Sequence, residues 1–267
     1  MVVCTLGDLL LDVVVKPAKP LAGGDDTRAD TRVGGGGQAA NVAAWAAALG
    51  AEARFVGKRG ADAPGEVAEA DLLRRAVDVL GPPPTGRNGV VVSIVELDGN
   101  RTMISDRGVA PDLGPEELEP EWFEGCDALH LSGYSLMREP IGTAAERAAE
   151  LARAAGARIS VDLSSVNVIR EFGPERLAER FVRIRPDVVF GNEAEHGALR
   201  VPSEQRIVKR GARGATIDGQ DYAPVPGDVV DTTGAGDALA AGYLVGGPKL
   251  AMEAAARCVA NLGTMPS

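Results

Sequence analysis

Positive charge is scarce in this sequence. Lys and Arg number 28 against 38 Asp and Glu, which gives a formal net charge of −10 and a pI near 4.8. A nucleic-acid binder carries a basic face, so that class is excluded. Any phosphate site must be local, made of backbone N–H groups, a metal ion and a few Lys or Arg. Cysteine is sparse too: Cys4, Cys126 and Cys258 are odd in number, lie among apolar or small neighbours and form no C-x-x-C pair. They read as buried free thiols in a reducing compartment. No apolar run approaches transmembrane length, and the segment from Met1 to Asp8 lacks the basic start and apolar core of a signal peptide. Together these absences predict a cytoplasmic protein with no membrane partner. No internal repeat is visible.

What is present suits a globular chain. With 267 residues, 45% hydrophobic and 25% charged, it can bury a substantial core, as one large α/β domain or one domain with an appendage. The stretch Asp231-Thr-Thr-Gly-Ala-Gly-Asp237 leads directly into an apolar run, Ala238 to Leu244. Small residues opening a helix leave backbone N–H groups of Gly234, Ala235 and Gly236 unpaired, which makes an anion site. A carboxylate beside it, Asp237, suits proton acceptance while those groups hold charge on a phosphoryl oxygen. The plain alternative is a glycine turn with a capping Asp.

Along the chain, Val2 to Leu6 reads as a buried strand closed by Gly7 and Asp8. Leu9 to Val15 follows with a single charge, Asp12, which costs several kcal/mol inside an apolar strand unless it is paired or faces a wet cleft. Asp12 is therefore a substrate-contact candidate, or else a residue of an edge strand pointing to solvent. After a polar stretch over 16–33, four glycines (Gly34 to Gly37) precede a helix marked by Ala39, Val42, Trp45, Ala46 and Leu49 and stopped by Gly50. The glycines allow close approach of a ligand to backbone, and Asn41 offers both a donor and an acceptor; a plain loop with an exposed Asn is the other reading. Gly35, Gly37 and Ala40 fit a dinucleotide pattern, but the charged Arg28 to Arg32 stands where a buried strand should be. No P-loop pattern is present.

The spacing next predicts a strand over 53–56 and a helix over 63–79, with Val67, Leu72, Leu73, Val77 and Leu80 toward the core. Two strand-like segments, Gly89 to Leu97 and Arg101 to Asp106, flank Asp98-Gly99-Asn100, a hairpin signal. With 10–33 they suggest a small sheet standing apart, well placed as a lid. From Ala128 strands and helices alternate, which predicts a parallel sheet covered on both faces with ligands beyond the strand C-termini. The residues to watch there are Ser132, Gly133, Asp162, Asn192, Glu193 and Glu195, each of which is alternatively a cap or turn residue.

In this order, the glycine-Asn helix, the inserted hairpin, N-x-x-E after a strand and D-T-T-G-A-G-D at a helix start make a chain that resembles the ribokinase-like (PfkB) carbohydrate kinases, essentially end to end. The resemblance implies a three-layer α/β/α sandwich with a mostly parallel central sheet, a single domain over 1–267 and a small β-sheet lid from about 10–33 and 86–108. It implies transfer of the γ-phosphate of ATP, with Mg²⁺, to a hydroxyl of a sugar or sugar derivative. By position, Asp237 would be the catalytic base and Gly234, Ala235 and Gly236 the anion hole. Asp12, Gly36, Gly37 and Asn41 would hold the sugar. Asn192, Lys209, Gly211 and Asn261 would face the nucleotide together with Gly234 and Gly236, and Glu195 would reach Mg²⁺ through water. Asp231 and Thr233 match a monovalent-cation (K⁺) site beside Gly263 to Ser267. Thirteen residues separate Glu195 from Lys209, with Pro202 among them, and the chain stops at Ser267; both features shorten the expected nucleotide side.

The competing functions are a nucleoside kinase of the same fold, a non-catalytic sugar sensor and, more remotely, a dinucleotide oxidoreductase. Only 4% of residues are aromatic, which favours a sugar over a stacked base. A complete G-A-G-D favours catalysis over sensing, since pure binding needs no general base. Lid strands with exposed edges predict a possible homodimer.

Overall fold

A computed structural model of the chain describes residues 1–21, 23–95, 101–201 and 203–266. Along the first half run β1 (Val2–Leu6), β2 (Leu10–Pro17), β3 (Ala29–Gly36), α1 (Gln38–Ala48), β4 (Glu52–Val56), α2 (Ala63–Arg74), β5 (Val77–Leu80), β6 (Asn88–Val95) and β7 (Arg101–Gly108). The second half holds β8 (Ala128–Ser132), α3 (Gly133–Leu136), α4 (Ile141–Ala154), β9 (Arg158–Asp162), α5 (Val166–Phe172), α6 (Pro174–Ile184), β10 (Val188–Asn192), α7 (Glu193–Ala198), β11 (Gln205–Lys209), β12 (Ala215–Ile217), β13 (Gln220–Tyr222) and α8 (Ala235–Val259).

Nine strands form one sheet in the order β13-β12-β11-β10-β9-β8-β1-β4-β5. Every step from β11 to β5 is parallel, and only the β12 and β13 edge is antiparallel. Alternation along each strand divides the core between two faces. On β10, Val188 and Phe190 pack with α1 and α8, whereas Val189 packs with α4 and α6. The result is the three-layer α/β/α sandwich, and it places the C-terminal ends of the parallel strands along one rim.

A second, four-stranded sheet has the order β3-β2-β6-β7, with β2 and β6 parallel and the outer pairs antiparallel. Its register puts Asp12 opposite Val91 and, on the other face, Val13 opposite Val33 and Val92. One face therefore looks toward the rim and the other away. The turn expected at Asp98-Gly99-Asn100 lies outside the described residues, as does Pro202.

Two expectations need correction. The helix expected over 63–79 ends at Arg74, because Ala76 takes a left-handed φ of 58° and reverses the chain into β5. Pairing of Val77 with Ala53 then outweighs the helical period that 77–79 shares with the preceding turns. Val67 and Leu73 accordingly face solvent, at 43% and 56% exposure, while Ala68 and Leu72 make the buried stripe of α2. The short helix α5 carries no strong sequence signal; the Ser165 side chain caps it by accepting from the Val168 N–H. All three cysteines are buried and free. Among the described residues, no helix is long and apolar enough to cross a membrane.

Candidate active site

The D-T-T-G-A-G-D stretch opens α8 as its composition predicts. Gly234 is the N-cap with a left-handed φ of 76°, and a Cβ there would come within 2.8 Å of the Thr264 carbonyl oxygen, so only glycine fits without strain. The N-terminal N–H groups of α8 open on a cavity of about 810 Å³ lined by Gly234, Ala235, Gly236 and Asp237. Asp237 Oδ2 accepts from Asn41 Nδ2 at 2.8 Å, which ties the start of α8 to the first turn of α1. Burial pushes the Asp237 carboxyl up to about 7; the Asn41 hydrogen bond opposes that rise, Asp162 adds to it, and Lys209 and Gln38 pull it back.

Gln38 is a residue that the sequence did not single out. Its Oε1 accepts from Ser132 Oγ at 2.6 Å and from Ser164 Oγ at 2.5 Å. With that oxygen occupied by two hydroxyls, the Gln38 amide is held where it lowers the Asp237 pKa against the rise from burial. An amide at the first position of α1 is thereby coupled to the ends of β8 and β9. No motif marks this contact; only the rule that ligand sites lie beyond strand C-termini pointed to Ser132.

Asp162 and Lys209 meet at the same rim. Lys209 Nζ donates to Asp162 Oδ2 at 2.6 Å, from the last residue of β11 to the last residue of β9. Asp162 is 1% exposed, and Ser164 N–H donates to its other oxygen at 2.9 Å. Burial opposes the Lys209 charge, yet Asp162 and Glu195 hold its ammonium above the ordinary value. A Cβ built on Gly236 would lie 3.3 Å from Lys209 Nζ, so the ammonium sits directly beside the glycine turn that opens α8.

At the other end, Asp12 on β2 faces the cavity rather than solvent, and its Oδ2 accepts from Thr264 Oγ1 at 3.3 Å. Burial lifts its carboxyl to about 6, partly offset by that hydroxyl. A Cβ on Gly36 would overlap the Asp12 carboxyl, which explains a glycine there. Gly37 and Asn41 line the same end. Asp8 and Arg107, neither of which the sequence marked as a site residue, form a bidentate pair at 2.6 and 2.8 Å that joins the end of β1 to β7 of the small sheet. The position of Asp8 just past a strand end was the available signal.

The remaining candidates divide. Asn192 lines the cavity and closes a capping box with Glu195, whose carboxylate accepts from Asn192 N–H at 2.7 Å and Asn192 Nδ2 at 2.8 Å. Lys209 and Gly211 also line the cavity. Asp231 lies behind it, buried, accepting from Thr233 N–H at 2.9 Å and Gly263 N–H at 3.1 Å. Gly36, Glu195, Asp231 and Asn261 all stand outside the cavity lining; of these Asn261 alone is exposed, and its amide donates to the Arg257 carbonyl at 2.9 Å. Its backbone follows the last turn of α8, so the side chain serves the helix end. The far end of the cavity is apolar, with Val225, Val229, Leu239, Met252 and Val259. Among the described residues, no group of three or more His, Cys, Asp and Glu is arranged to hold a metal by itself.

Similarity to known proteins places the chain in a family. A model of the "pfkB family carbohydrate kinase" matches residues 2–265. The chain is 33% identical over 259 residues to an ATP-dependent ribose-1-phosphate kinase from Halopiger xanaduensis, covering 91% of this chain and 83% of that protein. It is 31% identical over 236 residues to Fructokinase-1 of Zea mays, covering 78% and 72% respectively. The crystal structure of adenosine kinase from Sinorhizobium meliloti superposes with a TM-score of 0.85 at 25% identity, covering 99% of this chain and 95% of that one.

Proposed function

Because this chain belongs to the pfkB family of carbohydrate kinases, an ATP-dependent sugar phosphotransferase, we propose that Asp237 is its general base and that the start of α8 is its phosphoryl-binding turn. The observation that supports this best is the place of Asp237, in one continuous cavity between the small sheet and the apolar end, with Asn41 and the α8 amides around it. The acceptor hydroxyl gives its proton to the Asp237 carboxylate as its oxygen forms a bond to the γ-phosphorus, and the bond from that phosphorus to the β-phosphate oxygen breaks to release ADP. A base with a pKa near working pH is the effective choice, and burial supplies that value here. General-base assistance contributes about 10²–10⁴-fold, and each anion-hole donor about 10²–10³-fold in turnover.

Asp12 and Asn41 face the sugar end and are assigned to its hydroxyls. The apolar residues Val225, Met252 and Val259 suit the nucleotide base. The pair Lys209 and Asp162 is assigned to the phosphates: the ammonium lies beside Gly236 and is held there by a carboxylate of its own. That arrangement lets a chain of net charge −10 accept ATP. When bound with the nucleotide, Mg²⁺ neutralises β- and γ-phosphate charge and keeps several waters. Asn192 and Glu195 already hydrogen-bond each other, so they would meet such an ion through its waters. Asp231 with Thr233 and Gly263 fixes the loop before α8, and any K⁺ dependence would act through that loop.

The small sheet is assigned as the lid. Its outer face carries Val13, Val33, Val92 and Ile104 in one row, with Val33 and Ile104 at 57% and 60% exposure. An apolar sheet face of this kind supports a homodimer through the lid. The nucleoside-kinase reading gains least, since Tyr134 is the sole aromatic side chain among the described residues lining the cavity. A coupled assay of ATP consumption over monosaccharides, their phosphates, sugar acids and nucleosides tests the reading. Turnover confined to nucleosides would replace it.

A further inference from the structure

Beside the sugar end a second hollow of about 350 Å³ opens, and it shares Ser105 and Arg107 with the main cavity. Asp106, Gly108, Pro111 and Arg138 complete its walls. Strand alternation along β7 places Ser105 and Arg107 on the cavity face and Asp106 on the other, where its carboxylate pairs with Arg87 at 2.7 Å and accepts from Gly108 N–H at 3.0 Å. The one acid of the hollow is thus already neutralised. Arg107 is matched by Asp8 through Nε and Nη2, and its Nη1 donates to the Tyr134 carbonyl at 3.2 Å. Arg138 is different. It is exposed on the wall of the hollow and forms no ion pair among the described residues.

The sugar end therefore carries a balanced pair, Asp8 with Arg107, and one guanidinium in excess just beyond it. A neutral sugar offers such a guanidinium hydroxyl acceptors but no charge to balance it. An oxyanion does, and the planar fork matches phosphate and carboxylate oxygens two at a time. Ser105 adds a hydroxyl on the shared wall. Resting on the kinase reading above, we propose that the acceptor is an acidic sugar, and that Arg138, with Arg107 behind it, receives its anionic group at the end remote from the hydroxyl facing Asp237.

The test is a kinetic comparison of matched pairs in the full chain: ribose against its 1- and 5-phosphates, and glucose against gluconate. The expected result is that one anionic member exceeds its neutral parent in kcat/KM by at least about tenfold, with phosphate and carboxylate told apart by which pair shows it. In Arg138→Ala that preference ratio should fall by about 10- to 100-fold, the span of one charge-assisted hydrogen bond, mainly through KM, and Arg138→Lys should restore part of it. Arg138 is exposed, so both variants should fold, and matched melting curves would verify this. The proposal is overturned if neutral sugars match their anionic partners, or if Arg138→Ala keeps the ratio. Phosphorylation of no sugar at all would count instead against the kinase reading on which it rests.

Discussion

Asn41 Nδ2 and Asp237 Oδ2 lie 2.8 Å apart although their positions in the chain differ by 196. One helix start supplies the carboxylate and another supplies a donor that fixes its orientation. Gln38, held by Ser132 and Ser164, adds a second influence that lowers the Asp237 pKa. Replacement of Gln38 by Leu should therefore lower kcat more than it raises the KM for sugar, by about tenfold, the scale of one hydrogen bond to a charged group. Steady-state kinetics on both substrates would reveal this, and a shift of the acidic limb of the pH profile to higher pH should accompany it, since a donor that lowers the Asp237 pKa is lost.

The pH dependence of the unmodified chain follows from burial. Asp237 must be ionised to accept a proton, and its carboxyl is raised to about 7, so kcat/KM should fall as pH drops below about 7. The stability effect has the opposite sense. A carboxyl with a folded pKa above its unfolded value binds more protons in the folded state, so stability falls as pH rises from about 4 toward 7. Asp12, raised to about 6, contributes in the same direction. Asp237→Asn should consequently raise the melting temperature at pH 8 by several degrees and much less at pH 5, which paired thermal melts would show.

Lys209→Met removes the partner of a carboxylate that is 1% exposed. Breaking a buried pair on one side costs about 3–5 kcal/mol, so a lower melting temperature is expected. Loss of an ammonium beside Gly236 should also raise the KM for ATP while leaving that for sugar nearly constant. Double replacement, Lys209→Met with Asp162→Leu, should recover stability without recovering the affinity for ATP.

Much of this arrangement was legible in the sequence. Periodicity and glycine punctuation located α1, α8 and the alternating strands from β8 to β10, because each pairs a local signal with burial on one face. The glycine turn that opens α8 was legible because it depends on backbone conformation and consecutive residues. The pairs Asp8 with Arg107 and Asp162 with Lys209 were not, since they join elements 99 and 47 residues apart and no local signal says which residue meets which. The boundary between α2 and β5 was missed because Val77 suits a helix face and a strand equally, and only pairing with β4 decides between them. The contact of Asn261 with the Arg257 carbonyl was not legible, because proximity to the site in sequence does not fix where a side chain points after a helix end.

The outer row of the small sheet offers a separate check. If Val33, Val92 and Ile104 face a second copy of the chain, Ile104→Asp should convert a dimer into a monomer in sedimentation experiments. A wild-type monomer at tens of micromolar would contradict the assignment.

The most direct measurement is on Asp237→Asn, whose side chain is nearly isosteric and cannot take the proton. Turnover and sugar affinity should be measured in the same preparation, the first by coupled ADP release and the second by calorimetry. A loss of about 10²–10⁴-fold in kcat with sugar affinity within about threefold of the parent is expected. Turnover close to that of the parent would show that Asp237 is not the base and that the site works by another arrangement.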